Sequence, residues 1–157
     1  MGEEWVVEEL SPSDARDIEN LFKIVWAKAT EYPEEWRKRR MLSAKEIIEE
    51  MERGYRFFGI RLGERIVGVY KARIRGDACY GEHQSIHPRC RAAGLAKAMY
   101  DQFLDFARKT NCGKNVVNIL IGHQISERCV RRYAFHKVGE PFEQCEGMLV
   151  QRYEREV

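Results

Sequence analysis

Ile86-His87-Pro88-Arg89-Cys90-Arg91-Ala92-Ala93-Gly94-Leu95-Ala96 is the stretch on which the reading of this sequence turns. A strand-like segment, Ala78 to Ile86, runs into it. An amphipathic helix leaves it, with Leu95, Met99, Gln102, Phe103 and Phe106 on one face. A strand, a tight turn and a helix start together make a seat for an anion. The first turn of a helix has N–H groups with no intrahelical acceptor, at the positive end of the helix dipole. The small residues Ala92, Ala93, Gly94 and Ala96 leave that backbone bare, so a phosphate could approach it. A charge-assisted bond made there is worth on the order of 1.5–3 kcal/mol.

Upstream, Trp5 to Leu10 is a short β-prone run, broken by Ser11-Pro12-Ser13-Asp14. Helical spacing of Ile18, Leu21, Phe22, Val25 and Trp26 predicts a helix from Ala15 to Thr30, ended by Tyr32-Pro33. Glu34 to Arg40 reads as a charged, solvated helix. Ser43 to Arg53 reads as another helix, stopped by Gly54. Tyr55 to Arg61 and Arg65 to Arg75 predict a hairpin around Leu62-Gly63-Glu64, and Ala78 to Ile86 a third strand. Downstream, the helix after the loop runs to about Thr110. Asn115 to Ile121 is a strand, Ser126 to Val138 a helix, and Phe142–Cys145 with Met148–Tyr153 a hairpin around Glu146-Gly147. This order predicts a mixed α/β or α+β layer in a single domain covering residues 1–157.

The chain has 157 residues, 44% hydrophobic and 33% charged, which suits a folded domain with its own core. A net charge of +2 is too balanced to argue for nucleic acid by electrostatics. Five cysteines at irregular spacing give no C-x-x-C and no disulfide framework, so a reducing cytoplasm is the simpler setting. The acidic start lacks a signal peptide's basic and apolar regions, and no apolar run approaches the ~20 residues of a membrane span.

Arg91-Ala92-Ala93-Gly94-Leu95-Ala96 resembles the Q/R-x-x-G-x-G/A signature of the GNAT N-acyltransferase superfamily, and the preceding Ile86-x-Pro88 resembles that family's strand end. Ala92 stands where a Gly is common. The resemblance extends to the order of elements along nearly the whole chain. It implies a mostly antiparallel sheet flanked by helices, with a central parallel pair, Ala78–Ile86 and Asn115–Ile121, splayed to admit a pantetheine arm. It implies acetyl-CoA or another acyl-CoA as co-substrate, a small-molecule or peptide amine as acceptor, and a homodimer as a possible assembly. It places Ile86, His87, Arg91, Ala92, Ala93, Gly94, Leu95, Ala96 and Ser126 at the cofactor.

Aminolysis of a thioester needs a proton acceptor, a stabilised oxyanion and a proton for the leaving thiolate. Backbone donors near Ile86 suit the oxyanion. On a regular strand Tyr80, Glu82, Gln84 and Ile86 share one face, and Cys79, His83 and His87 the other. The resemblance makes Glu82 the base by residue type. A strand bulge would instead present His83, whose ordinary pKa suits the task. Ser126-Glu127-Arg128-Cys129-Val130-Arg131-Arg132-Tyr133 resembles the family's N-x-x-A-x-x-x-Y helix, with Ser126 capping it and Tyr133 as the acid. Counting back from Gly139 would put Phe135 in the tyrosine's place.

Cys79, His83, His87 and Cys90 have the spacing of a metal set, but four strand residues span about 13 Å, too far to share one ion, so no metal is expected. Trp36-Arg37-Lys38-Arg39-Arg40 could face nucleic acid, though the neighbouring Glu31, Glu34 and Glu35 favour a solvated helix. Trp26, Tyr32 and Trp36 are candidates for acceptor contact. Two rival functions remain: a non-catalytic CoA-binding sensor of the same fold, and a nucleic-acid-binding domain.

Overall fold

The structure is a computed structural model that describes residues 4–145 and 147–157. It is a mixed α/β fold whose seven-stranded sheet has the order β1-β2-β3-β4-β5-β7-β6. The strands are β1 Glu8–Glu9, β2 Arg56–Leu62, β3 Arg65–Arg75, β4 Ala78–Ile86, β5 Lys114–Leu120, β6 His136–Cys145 and β7 Met148–Glu156. The helices are α1 Ala15–Trp26, α2 Glu34–Arg40, α3 Ala44–Glu52, α4 Leu95–Lys109 and α5 Gln124–Arg132. The chain divides into two compact units, one of Met1–Arg73 with His83–Phe103, the other of Ile74–Glu82 with Leu104–Val157.

In the first unit, β1 pairs antiparallel with β2, and β2 with β3. The apolar stripe of α1 buries Ile18, Leu21, Phe22, Val25 and Trp26, as its periodicity predicts. The helix stops at Trp26, four residues short of the expected Thr30. Turn bonds take over, with Thr30 N–H donating to Lys28 O and Tyr32 N–H to Ala29 O, and Pro33 disfavours a helical Tyr32. A capping box between Ser43 and Glu46 opens α3. At its end Gly54 takes φ +99, while Tyr55 N–H reaches Glu50 O and Gly54 N–H reaches Met51 O, a Schellman stop.

The start of α4 is seated on β3 through Gly68, whose missing side chain leaves room for Leu95 and Met99; an added Cβ would lie 3.3 Å from Leu95 Cδ2. Gly59 on β2 is tighter. A Cβ there would come within 2.8 Å of both the Gly68 carbonyl oxygen and Leu10 Cδ1. A backbone oxygen in a sheet cannot rotate away. Gly59→Ala is therefore expected to lose about 1–3 kcal/mol of stability, read as a lower urea midpoint at unchanged slope.

In the second unit, the start of β4 pairs parallel with β5, Ala78–Gly81 against Lys114–Val117. β5 pairs antiparallel with β7, and β7 with β6. Asp77 fastens the entry to β5: its Oδ1 and its backbone oxygen both accept from Gly113 N–H, each at 2.8 Å.

The last helix differs from expectation at both ends. It begins at Gln124, with His123 rather than Ser126 at the cap position, and it ends at Arg132 rather than Val138. Phe135 N–H donates to Val130 O and Ala134 N–H to Arg131 O, with Ala134 at φ +62. This is a Schellman stop built on alanine, which carries no glycine signal in the sequence. The chain freed by that stop extends β6 back to His136, through a register shift between Val138 and Phe142. Of the turn expected around Glu146-Gly147, Glu146 lies outside the described residues.

Candidate functional site

The end of β4 is set by His87 N–H, which donates to Val67 O on β3 at 2.8 Å. Pro88–Cys90 then forms one 3-10 turn, capped by the His87 ring, whose Nδ1 accepts from Arg89 N–H at 3.1 Å. Arg91, Ala92, Ala93 and Gly94 follow, all exposed, before Leu95 opens α4. Ala92 takes φ +62 and Gly94 φ +90. These left-handed steps curl the loop, and Ala92 bears the conformation that a glycine would adopt more cheaply. Trp5 Nε1 donates to the Ala93 carbonyl at 2.7 Å, which ties one side of the loop to the chain's first residues. Buried Leu95 and Met99 anchor the helix below. The result is an exposed, side-chain-poor loop leading into a helix start, the end of a helix that favours negative charge.

A hollow lined by Glu4, Trp5, Val6, Glu8 and Arg61 shares Trp5 with the loop. Its one cation, Arg61, is already held by Glu8 and Asp14, so it offers no seat of this kind.

The first unit also gathers the aromatic residues singled out for the acceptor. Trp26 and Tyr32 meet edge to face at 5.1 Å, Tyr32 stacks on Trp36 at 6.4 Å, and the Arg40 guanidinium lies 5.0 Å from the Trp26 ring and 4.3 Å from that of Trp36. Tyr32's hydroxyl is shifted upward by burial, against the pull of Arg40. The basic run of α2 is largely turned to structure. Lys38 pairs with Glu34 and Glu35, Arg37 Nη1 donates to Ala27 O, and Trp36 is buried.

Near this group, β4 departs from the regular alternation expected of it. His83 takes φ +57, so the two-face division of Tyr80–Ile86 is broken at that residue. Glu82, beside it, is half-buried. His83 Nδ1 is buried without a hydrogen-bond partner among the described residues. Burial, and then the charges of Arg40 on α2 and Lys71 on β3, hold the imidazole well below its ordinary pKa. Lys71 is itself paired with Glu50 of α3 at 2.8 Å.

A stability consequence follows. The folded pKa of His83 lies below the unfolded value of about 6.5, so between the two the unfolded chain binds the extra proton and stability rises with pH. The His83 contribution is complete above about pH 6.5 and is lost as pH falls below it. His83→Gln is expected to flatten the slope of the urea midpoint against pH below 6.5. An unchanged slope would mean that the ring titrates as in water.

In the second unit, Tyr133 is half-buried at the C-terminal cap of α5, whereas Phe135 is packed in the core. Of the two positions weighed for the family tyrosine, the one with a hydroxyl is therefore also the less enclosed. Ser126 does not cap the helix; its Oγ lies 2.9 Å from His123 Nδ1. No group of three or more His, Cys, Asp or Glu stands together as a metal site among the described residues. No disulfide joins the described cysteines, and Cys79 and Cys112 are buried. No helix of the described residues is long and apolar enough to cross a membrane.

The Acetyltransferase (GNAT) family matches residues 18–135, which run from within α1 to just past α5 and include the Arg91–Gly94 loop. The chain belongs to this family. Solved structures agree at the level of the GNAT fold. The PaiA N-acetyltransferase of Thermoplasma acidophilum, in complex with coenzyme A, superposes with a TM-score of 0.76 at 12% identity, over 96% of this chain and 98% of that one. The ribosomal-protein-S18-alanine N-acetyltransferase of Escherichia coli gives 0.77 at 10% identity, over 98% and 94%. The ribosomal-protein-alanine N-acetyltransferase of Brucella melitensis gives 0.77 at 10%, over 97% and 99%. No curated protein matches. Within the GNAT frame the sequence pointed to the loop, to β4 and to the aromatic group. It named Arg40 only as part of a basic run and did not single out Ser85 or the Lys71–Glu50 pair, which are brought together only by folding.

Proposed function

We propose that residues 1–157 work as one acyl-CoA-dependent N-acyltransferase domain, moving an acetyl group from acetyl-CoA to an acceptor amine by direct attack. The observation that carries this reading is the exposed, left-handed Arg91–Gly94 loop opening into α4, in a chain of the GNAT family. The loop Arg91–Ala96 holds the pyrophosphate, with Ile86, His87 and Ser126 as further cofactor contacts. A residue at Glu82 or His83 accepts the amine proton, and Tyr133 protonates the leaving thiolate. The acceptor is a small-molecule or peptide amine. Peptide amines gain support from the fold's likeness to ribosomal-protein acetyltransferases, and the Trp26–Tyr32–Trp36 group offers apolar contact for either class. Cysteines outside any disulfide fit a cytoplasmic setting.

A CoA-binding sensor without turnover is the second reading. It is favoured by Ser126, which stands where the family has Asn and whose hydroxyl already meets His123. Free thiol release from acetyl-CoA against a panel of small amines and peptide N-termini separates the two. Turnover on any acceptor supports the transferase. Acetyl-CoA binding with no turnover across the panel overturns it in favour of the sensor.

A further inference from the structure

His83 bears two local costs at once. It is a non-glycine residue held in the left-handed region, at φ +57. Its buried Nδ1 goes without a hydrogen bond among the described residues. Neither is accidental slack, because the backbone step is fastened from outside the strand. Trp26 Nε1 reaches Ser85 Oγ at 2.7 Å, with both residues buried. An indole nitrogen can only donate, so the serine oxygen must accept. The serine's own hydrogen is then left for the His83 carbonyl, 3.2 Å away. A relay from the last residue of α1 thus holds the carbonyl of the bulged residue. Strain that the surroundings maintain, at a residue with an unsatisfied ring nitrogen, is the pattern expected where a group is being presented for use.

The charges around the ring fit that use. Arg40, lying on Trp26 and Trp36, and Lys71, paired with Glu50, both oppose a proton on the imidazole. The ring therefore keeps a lone pair at neutral pH. We propose that His83, rather than Glu82, takes the proton of the acceptor amine, and that the Trp26–Ser85 pair positions it. This rests on the acyl-transfer reading above.

The step balances without an added reactant. The amine nitrogen bonds to the thioester carbonyl carbon, and the carbonyl π electrons move to oxygen. The nitrogen, now cationic, passes its proton to the unprotonated ring nitrogen of His83. Collapse re-forms the carbonyl and breaks the C–S bond. The CoA thiolate leaves and is protonated, and His83 returns its proton to solvent once the amide has gone.

The test uses the full chain, acetyl-CoA and the best acceptor of the panel, under conditions where chemistry limits the rate. His83→Gln and His83→Asn are expected to lower kcat by about 10²–10³-fold, within the usual contribution of a positioned base, with acetyl-CoA affinity unchanged. The fall of kcat on the acid side of the pH profile should vanish with them. Ser85→Ala should lower kcat about tenfold while leaving the KM for acetyl-CoA in place, a split that mere loss of packing would not give. Glu82→Gln asks the question without touching His83: a proton acceptor at His83 predicts a smaller loss of kcat than either His83 variant gives. Wild-type kcat in a folded His83 variant, or a loss carried by Glu82→Gln, overturns the assignment while acyl transfer stands. A wild-type chain with no turnover on any acceptor overturns acyl transfer itself, and the His83 role with it.

Discussion

Gly94→Glu is expected to abolish acetyl-CoA binding. Gly94 has φ +90, a conformation that an L side chain adopts only with strain, so any substitution disturbs the curl of the loop. The nearest atoms to an added Cβ, on the Trp5 ring, are 3.9 Å away, so the protein itself has room for a side chain. The damage falls on the ligand instead. A carboxylate at this point enters the space over the first turn of α4, where the pyrophosphate would meet bare N–H groups. It both blocks and repels. Losing several charge-assisted bonds at about 1.5–3 kcal/mol each lowers affinity by at least 10³-fold, which removes binding at ordinary ligand concentrations. Gly94→Ala adds the strain without the charge and should fall between. The measurement is the thermal shift with acetyl-CoA, alongside the melting point of the free protein. A folded Gly94→Glu protein with the wild-type shift would place the pyrophosphate elsewhere.

Tyr133→Phe is expected to lower turnover about 10²-fold, the low end of the range for a general acid. The low end applies because a thiolate, with an alkyl thiol pKa of roughly 8.5, is already a fair leaving group. The substitution keeps the ring at the end of α5 and removes the hydroxyl. Acetyl-CoA affinity should change little, since the loop at Arg91–Ala96 carries most of it in this reading. Phe135→Tyr is the matching control: Phe135 is buried beyond the Schellman stop, so a hydroxyl there should give no catalytic gain. Wild-type turnover in Tyr133→Phe, with chemistry limiting the rate, would make Tyr133 a packing residue and leave the thiolate to water.

The stability and activity predictions for His83 meet at one physical point. The same burial and the same two cations that keep the ring neutral also make the folded state resist protonation below about pH 6.5. One substitution should therefore change two curves: the urea midpoint flattens between the folded pKa and about pH 6.5, and kcat loses its fall through the folded pKa.

The sequence by itself determined the order of elements, because each helix and strand of this chain has its own periodic signal. Ile18, Leu21, Phe22, Val25 and Trp26 mark α1, and the Ser43–Glu46 box with Gly54 brackets α3. The exposed Arg91–Gly94 loop was equally visible, since bare residues between a strand and a helix start form a local pattern. Where the stop signal was weak, the reading slipped: Ala134 ends α5 in a conformation that sequence statistics assign to glycine, and β6 gained six residues as a result. Only the tertiary structure decided the surroundings of β4. Alternation along a strand assumes regular dihedrals, and nothing in Glu82-His83-Gln84 announces the left-handed step at His83. That step is met by a bond from Trp26 to Ser85, 59 positions apart, and by the Ser85 bond to the His83 carbonyl, while burial and cations from α2 and β3 keep the ring neutral. Local backbone preference is written residue by residue. A strained conformation is affordable only through contacts made after the chain has folded, and so it could not be read from the residues that bear it.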